Sequence, residues 1–196
     1  MFFYVTATAE ISLESKQMNR VLKIAKMGHP ILSQKASDVS DPKDSSIRQI
    51  VEDMKATLED IGDYAGLAAP QVHIPLKIVL FAVPKEISGP SYPEGIPLTA
   101  MINPSWKPLS EEKEWGWEGC FSLPGLMGEV RRYVSVSYAY QTLEGKEVSR
   151  TADGFHARVI QHECDHLDGV LYPQRMEDMS RFGYTEEIQR YSRRKS

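Results

Sequence analysis

The segment ARVIQHECDHLDG, Ala157 to Gly169, holds two of the chain's five histidines, His162 and His166, with Glu163 directly after the first. On a helix the two imidazoles lie one turn apart, about 40° from each other, where both can grip one cation. Glu163 falls about 100° from His162, too far round to be an obvious third ligand but within reach of a water on such an ion. This H-E-x-x-H spacing is that of metal-assisted hydrolysis. The competing reading is a polar helix face whose histidines make ordinary hydrogen bonds. Cys164, about 200° from His162, points away and reads as a small buried residue. Asp165 is placed to accept a hydrogen bond or pair with an arginine, with Arg158 on the His162 face as one candidate.

A catalytic metal needs a third protein ligand and an open position for water. Downstream stand Asp168, Glu177, Asp178, Glu186 and Glu187, none set apart by its surroundings. Upstream, the stretch WGWEGCFSLPG carries Cys120, whose thiolate suits zinc or ferrous iron. Further upstream is YAGLAAPQV, where Gly66 beside Ala68 and Ala69 lets backbone approach a partner closely and Gln71 offers an amide donor.

These residues need elements to carry them. Ile47, Ile50, Val51, Met54, Leu58 and Ile61 recur at i, i+3/i+4 behind the turn residues SDPKDS, which predicts an amphipathic helix from about Ser45 to Ile61. LKIVLFAV (Leu76–Val83) reads as a buried strand, PKEISGPSYPEGIP as a loop, and LTAMINP as another short strand. YVSVSYAYQTLEGKEVSRTA alternates around Glu144-Gly145, a hairpin signal. Helical rhythm returns near Asp153 and stops at Gly169, and the segment from about Glu177 to Lys195 reads as a last polar helix. Strands in the middle with helices toward both ends, without βαβ alternation, predict one α+β domain.

Composition limits the partners. The chain has 196 residues, a net charge of −4 and two cysteines, Cys120 and Cys164. That balance gives no support to coating DNA through a basic surface, and so few cysteines point to reduced thiols and a cytoplasmic setting rather than a disulfide scaffold. No window is apolar enough for a membrane span. Residues 1–17 lack the features of a targeting signal and read as a loose N-terminal extension, or as sequence upstream of a start at Met18.

Taken in order, YAGLAAPQ, EGCFS and QHECDH resemble the G-x-G-x-A-A-x-Q, E-G-C-x-S and Q-H-E-x-D-H stretches of the peptide deformylases. The resemblance runs from about Val21 to Met176, inside a catalytic domain taken as 18–176, with 177–196 as a basic C-terminal helix of the same domain. It departs from the family pattern at Tyr64, Phe121 and Met127. It implies antiparallel sheets around a central HExxH-bearing helix, and hydrolysis of the formyl group from N-formylmethionyl peptides. Cys120, His162 and His166 become the ligands of one divalent metal, ferrous iron in the cell, with zinc, nickel or cobalt possible in preparations. Glu163 becomes the acid/base, with the Gln71 amide and the Phe121 N–H as oxyanion donors. Gly66, Phe155 and Val159 are expected beside the substrate, the last two lining a methionine pocket or simply filling the core, with Tyr64 and Trp117 near its entrance. Arg190, Arg193, Arg194 and Lys195 suit either contact with ribosomal RNA or a solvated helix end. A metalloprotease with a downstream ligand and a metal-stapled binding module remain the rival readings.

Overall fold

A computed structural model describes residues 19–62, 65–87 and 92–192. Three α-helices and eight strands follow one another as α1 (Ser45–Ile61), β1 (Gly66–Ala68), β2 (Ile78–Val83), β3 (Ile96–Pro108), β4 (Lys113–Gly119), β5 (Leu126–Tyr133), β6 (Ser135–Gln141), β7 (Glu147–Asp153), α2 (Gly154–Leu167), β8 (Phe182–Tyr184) and α3 (Thr185–Ser192). The strands form a five-stranded sheet, ordered β1-β2-β3-β6-β7, and a three-stranded sheet, ordered β4-β5-β8. Every strand pairing within them is antiparallel. This is the expected α+β class, in one domain.

Strand β2 shows why its sequence is apolar throughout. Ile78 and Leu80 join a core with Val51, Met54 and Leu58 of α1, whereas Val79, Phe81 and Val83 join one with Ala157, Val159 and Ile160 of α2. Successive side chains serve opposite faces, and both faces are covered by a helix. Each of the large α1 side chains so buried contributes about 1.5–3 kcal/mol through removal from water. The helix starts where the Asp44 carboxylate accepts the Ser46 N–H (2.8 Å) and ends at Gly62, whose φ of 92° leaves the helical region.

The hairpin expected around Glu144-Gly145 is β6–β7. Two expectations are corrected. The strand proposed at LTAMINP is longer, running from Ile96 to Pro108, with Asn103 (φ 52°) at a register shift where its amide holds both the N–H and C=O of Val39. The last helix does not begin at Glu177. Met179–Arg181 form a 3-10 turn and Phe182–Tyr184 pair with β5 before α3 starts at Thr185. The apolar spacing there is too sparse to distinguish an edge strand from a polar helix.

Candidate metal centre

Helix α2 lies between the two sheets and is almost entirely buried. Its C-terminal end is fixed immediately beyond His166. The Val170 N–H donates to the Asp165 carbonyl (2.9 Å) and the Gly169 N–H to that of His166 (3.2 Å), a Schellman closure that needs the left-handed φ of 73° at Gly169. Cys120 follows β4 directly, so one strand end and one helix end bring the donor atoms together. A sulfur from Cys120 and one nitrogen from each of His162 and His166 lie within 4.8 Å of one another. Cys120 Sγ is 3.3 Å from His166 Nε2.

That donor set fits a divalent transition metal: one thiolate and two imidazoles, a combination both zinc and ferrous iron accept. His162 Nδ1 sits 2.9 Å from Glu118 Oε2. A carboxylate only accepts, so Nδ1 carries the proton and Nε2 is left for a cation. Burial would push His162 down, but hydrogen bonds to Cys120 and Glu118 outweigh it and hold the ring well above the usual imidazole range. Positive charge is therefore favoured between the sulfur and Glu118. Burial and the nearby positive charges of His162 and Arg132 push His166 well below that range, so its ring stays neutral.

Glu118 had no assigned role in the sequence reading, yet it organises the centre. Arg132 donates to both of its oxygens (Nε to Oε1 at 2.9 Å, Nη2 to Oε2 at 3.0 Å), and Arg158 Nη1 donates to Oε1 at 3.0 Å. Burial would raise the Glu118 pKa. Hydrogen bonds from His162 and Arg132 overcome that and hold the carboxyl well below the ordinary range. The partner suggested for Asp165 is corrected. Arg158 reaches Glu118 instead, while Asp165 pairs with Arg132 (2.6 Å) and Arg175 (2.6 Å). Arg132 reaches the centre from β5, a strand the hydropathy pattern concealed, and nothing local in the sequence marks it.

An open cleft of about 800 Å³ is lined by Cys120, His162 and Glu163. Burial pushes the Glu163 carboxyl up to about 7, with His162 opposing, and its Oε2 has no hydrogen-bond partner. Gly66 stands against it: a Cβ there would lie 2.5 Å from Glu163 Oε1 and 2.7 Å from its carboxyl carbon. The Gln71 amide donates to Cys120 Sγ and Ser122 Oγ, each at 3.3 Å, and its oxygen accepts the Ala68 N–H at 2.9 Å. No backbone carbonyl takes the Phe121 N–H among the described residues.

Val159 and Phe155 both line the cleft, Val159 buried in its wall and Phe155 exposed at the rim, with Trp117 also on the lining. Tyr64 lies outside the described residues. Met127 sits in β5 opposite Gly119 and Gly183. Cys164 is buried in the α2 core, away from the ligand cluster. Among the described residues no downstream acid joins that cluster, and Asp168 faces Lys35 at 3.6 Å.

The polypeptide deformylase family model matches residues 21–182. Peptide deformylase 1 of Nitrosomonas europaea is 44% identical over 167 residues, covering 84% of this chain and 93% of that protein. Peptide deformylase 2 of Ralstonia nicotianae is 45% identical, covering 83% and 91%. Among solved structures, the class I type b peptide deformylase of Acinetobacter baumannii bound to Met-Ala-Ser superposes with a TM-score of 0.72 at 36% identity, over 81% of this chain and all of that one (100%). The peptide deformylase of Ehrlichia chaffeensis gives 0.74 at 30% identity, over 89% and 97%.

Proposed function

The chain belongs to the peptide deformylase family, and from that premise we propose that Cys120, His162 and His166 hold the metal with which Glu163 does the chemistry. The enzyme removes the N-formyl group from the formylmethionine of nascent polypeptides, giving formate and a free amine. The observation that carries the site assignment is the convergence of one sulfur and two imidazole nitrogens within 4.8 Å, beside a buried carboxylate that opens on the cleft.

When bound, the cation lowers the pKa of water toward about 7 and polarises the formyl oxygen. Glu163, buried and facing the cleft, accepts the proton of the attacking water. The water oxygen bonds to the formyl carbon. Charge building on the formyl oxygen is met by the Phe121 N–H and by one Gln71 amide N–H turned from Cys120 Sγ or Ser122 Oγ, and losing one such donor typically costs about 3 kcal/mol. The carbon–nitrogen bond then breaks as Glu163 returns the proton to the amine, and the formic acid so formed gives up its O–H proton to water to leave as formate. Phe155 and Val159 border the methionine side chain, and the backbone at Gly66 runs beside the peptide.

Ferrous iron is the metal assigned in the cell, zinc, nickel or cobalt substituting in preparations. The setting is the cytoplasm, where formylated chains emerge, and no helix among the described residues is long and apolar enough to cross a membrane. The basic C-terminus supplies weak contact with ribosomal RNA. Arg190 already pairs with Glu187 at 3.0 Å, and Arg193, Arg194 and Lys195 lie outside the described residues. Truncation after Ile188 should reduce co-sedimentation with ribosomes at low salt, and an unchanged pellet would remove that role.

The assignment is tested by formate release from formyl-Met-Ala-Ser with anaerobically iron-loaded protein. Wild type should turn over, and Cys120→Ser should lose both metal and activity. Full metal content in Cys120→Ser would favour a protease-like ligand set instead.

A further inference from the structure

Arg158 stands one helical turn before His162 on α2, faces the cleft, and is only 7% exposed. Its guanidinium reaches four acceptors on the neighbouring sheet. Nη2 donates to the Glu114 carbonyl at 3.1 Å, and Nη1 to Glu118 Oε1 (3.0 Å), the Val130 carbonyl (3.0 Å) and the Gly116 carbonyl (3.4 Å). Two of these carbonyls belong to β4, the strand that delivers Cys120, and a third to β5. The carboxylate belongs to Glu118, whose other oxygen takes His162 Nδ1 at 2.9 Å.

We infer that Arg158 is a positioning residue for the metal centre, setting both the orientation of His162 and the distance between the helix and the strand that supply its ligands. The inference rests on the metal-site reading above. A carboxylate can swing about its stem, and a ring hydrogen-bonded to it would follow. Arg132 on one side and Arg158 on the other saturate Glu118 and stop that swing, which fixes where His162 Nε2 points. At the same time one planar guanidinium ties α2 to backbone atoms of β4 and β5, a set of contacts the point charge of a lysine cannot reproduce.

The sequence provides for this guanidinium at a second position. A Cβ on Gly116 would lie 2.6 Å from Arg158 Cζ and 2.6 Å from its Nη2. Any other residue at 116 therefore displaces the guanidinium without removing a charge from the site. Gly116→Ala is thus an independent way of loosening the same contact.

The test is anaerobic titration of cobalt(II) into the full-length metal-free protein, reading affinity by chelator competition together with the visible thiolate-to-cobalt and d–d bands. Arg158→Met is expected to weaken cobalt binding about 10- to 100-fold and to shift the d–d bands, in the range typical of lost outer-sphere support. Arg158→Lys should recover part of the affinity but not the wild-type spectrum, and Gly116→Ala should move both readouts in the same direction as Arg158→Met. A role confined to holding the fold together would lower the melting temperature and leave affinity and bands alone. Cobalt affinity within about twofold of wild type, with an unchanged spectrum, in both Gly116→Ala and a folded Arg158 variant overturns the inference, because outer-sphere loss normally exceeds that. If Arg158→Met does not fold, Arg158→Lys and Gly116→Ala carry the same comparison. A wild-type protein that takes up cobalt without a thiolate band would sink the metal-site reading itself, and the inference with it.

Discussion

The Glu163 carboxylate packs against the backbone at Gly66. The carboxylate can sit where it does because position 66 has no side chain. On the proposed roles, replacing Glu163 by glutamine would remove the proton acceptor and leave Cys120, His162 and His166 untouched. Formate release should fall about 100- to 10,000-fold with full metal content, measured on the same anaerobic preparation. Gly66→Ala should push the carboxylate aside. A displacement of this size is expected to lower kcat about 10- to 100-fold with metal retained. Unchanged turnover in Gly66→Ala would mean that Glu163 has room to relax. At this scale the sequence was informative wherever the chemistry is local: the i, i+4 histidines and the glutamate between them follow from helix periodicity alone. Glu118, Arg132, Asp165 and Arg175 form a network spread over two strands, a helix and the turn after it, and no spacing rule links such partners.

Helix α2 carries a second histidine environment, unconnected with the metal. His156 is 1% exposed, stacked on Phe81 (5.6 Å between centroids) and edge-on to Tyr92 and Tyr138, with Nε2 3.1 Å from the Tyr138 hydroxyl. Burial, reinforced by Arg150 and opposed by Asp153, pulls it down to about 4. Below pH 6.5 the unfolded chain takes up a proton here that the folded chain does not, so this contribution is intact above that pH and is lost as pH falls toward 4. The loss should reach about 2–3 kcal/mol. Urea midpoints of wild type and His156→Gln, equally metal-loaded, should converge as pH is lowered from 7.5 to 5. Parallel profiles would show that His156 titrates normally.

Helix α1 and the β6–β7 hairpin were legible because each buries one face in a regular rhythm, and α2 because its histidines recur at i, i+4 ahead of Gly169. Strands β4, β5 and β8 were not. Strand β4 is an edge strand, and its two glycines and exposed Trp115 blur the alternation. Strand β5 buries a charged residue, Arg132, and β8 has three residues only.

At the scale of the whole molecule, the fold works as a clamp. One sheet backs α2 with a hydrophobic core, the other is tied to it through the buried pairs Arg132–Asp165 and Arg158–Glu118, and the cleft opens between β1 and the β4 end. On the proposed ligand set, a thiolate beside iron would carry a cost that belongs to the assembled enzyme. Iron-loaded protein should lose activity in air while nickel-loaded protein keeps it, because oxidation of ferrous iron exposes the sulfur to further attack. Equal decay of the two would argue against sulfur ligation. The most direct test is X-ray absorption at the metal edge of the zinc-loaded protein. One sulfur at about 2.3 Å and two imidazole nitrogens at about 2.0–2.1 Å are the predicted shell. A first shell of nitrogen and oxygen alone would contradict it.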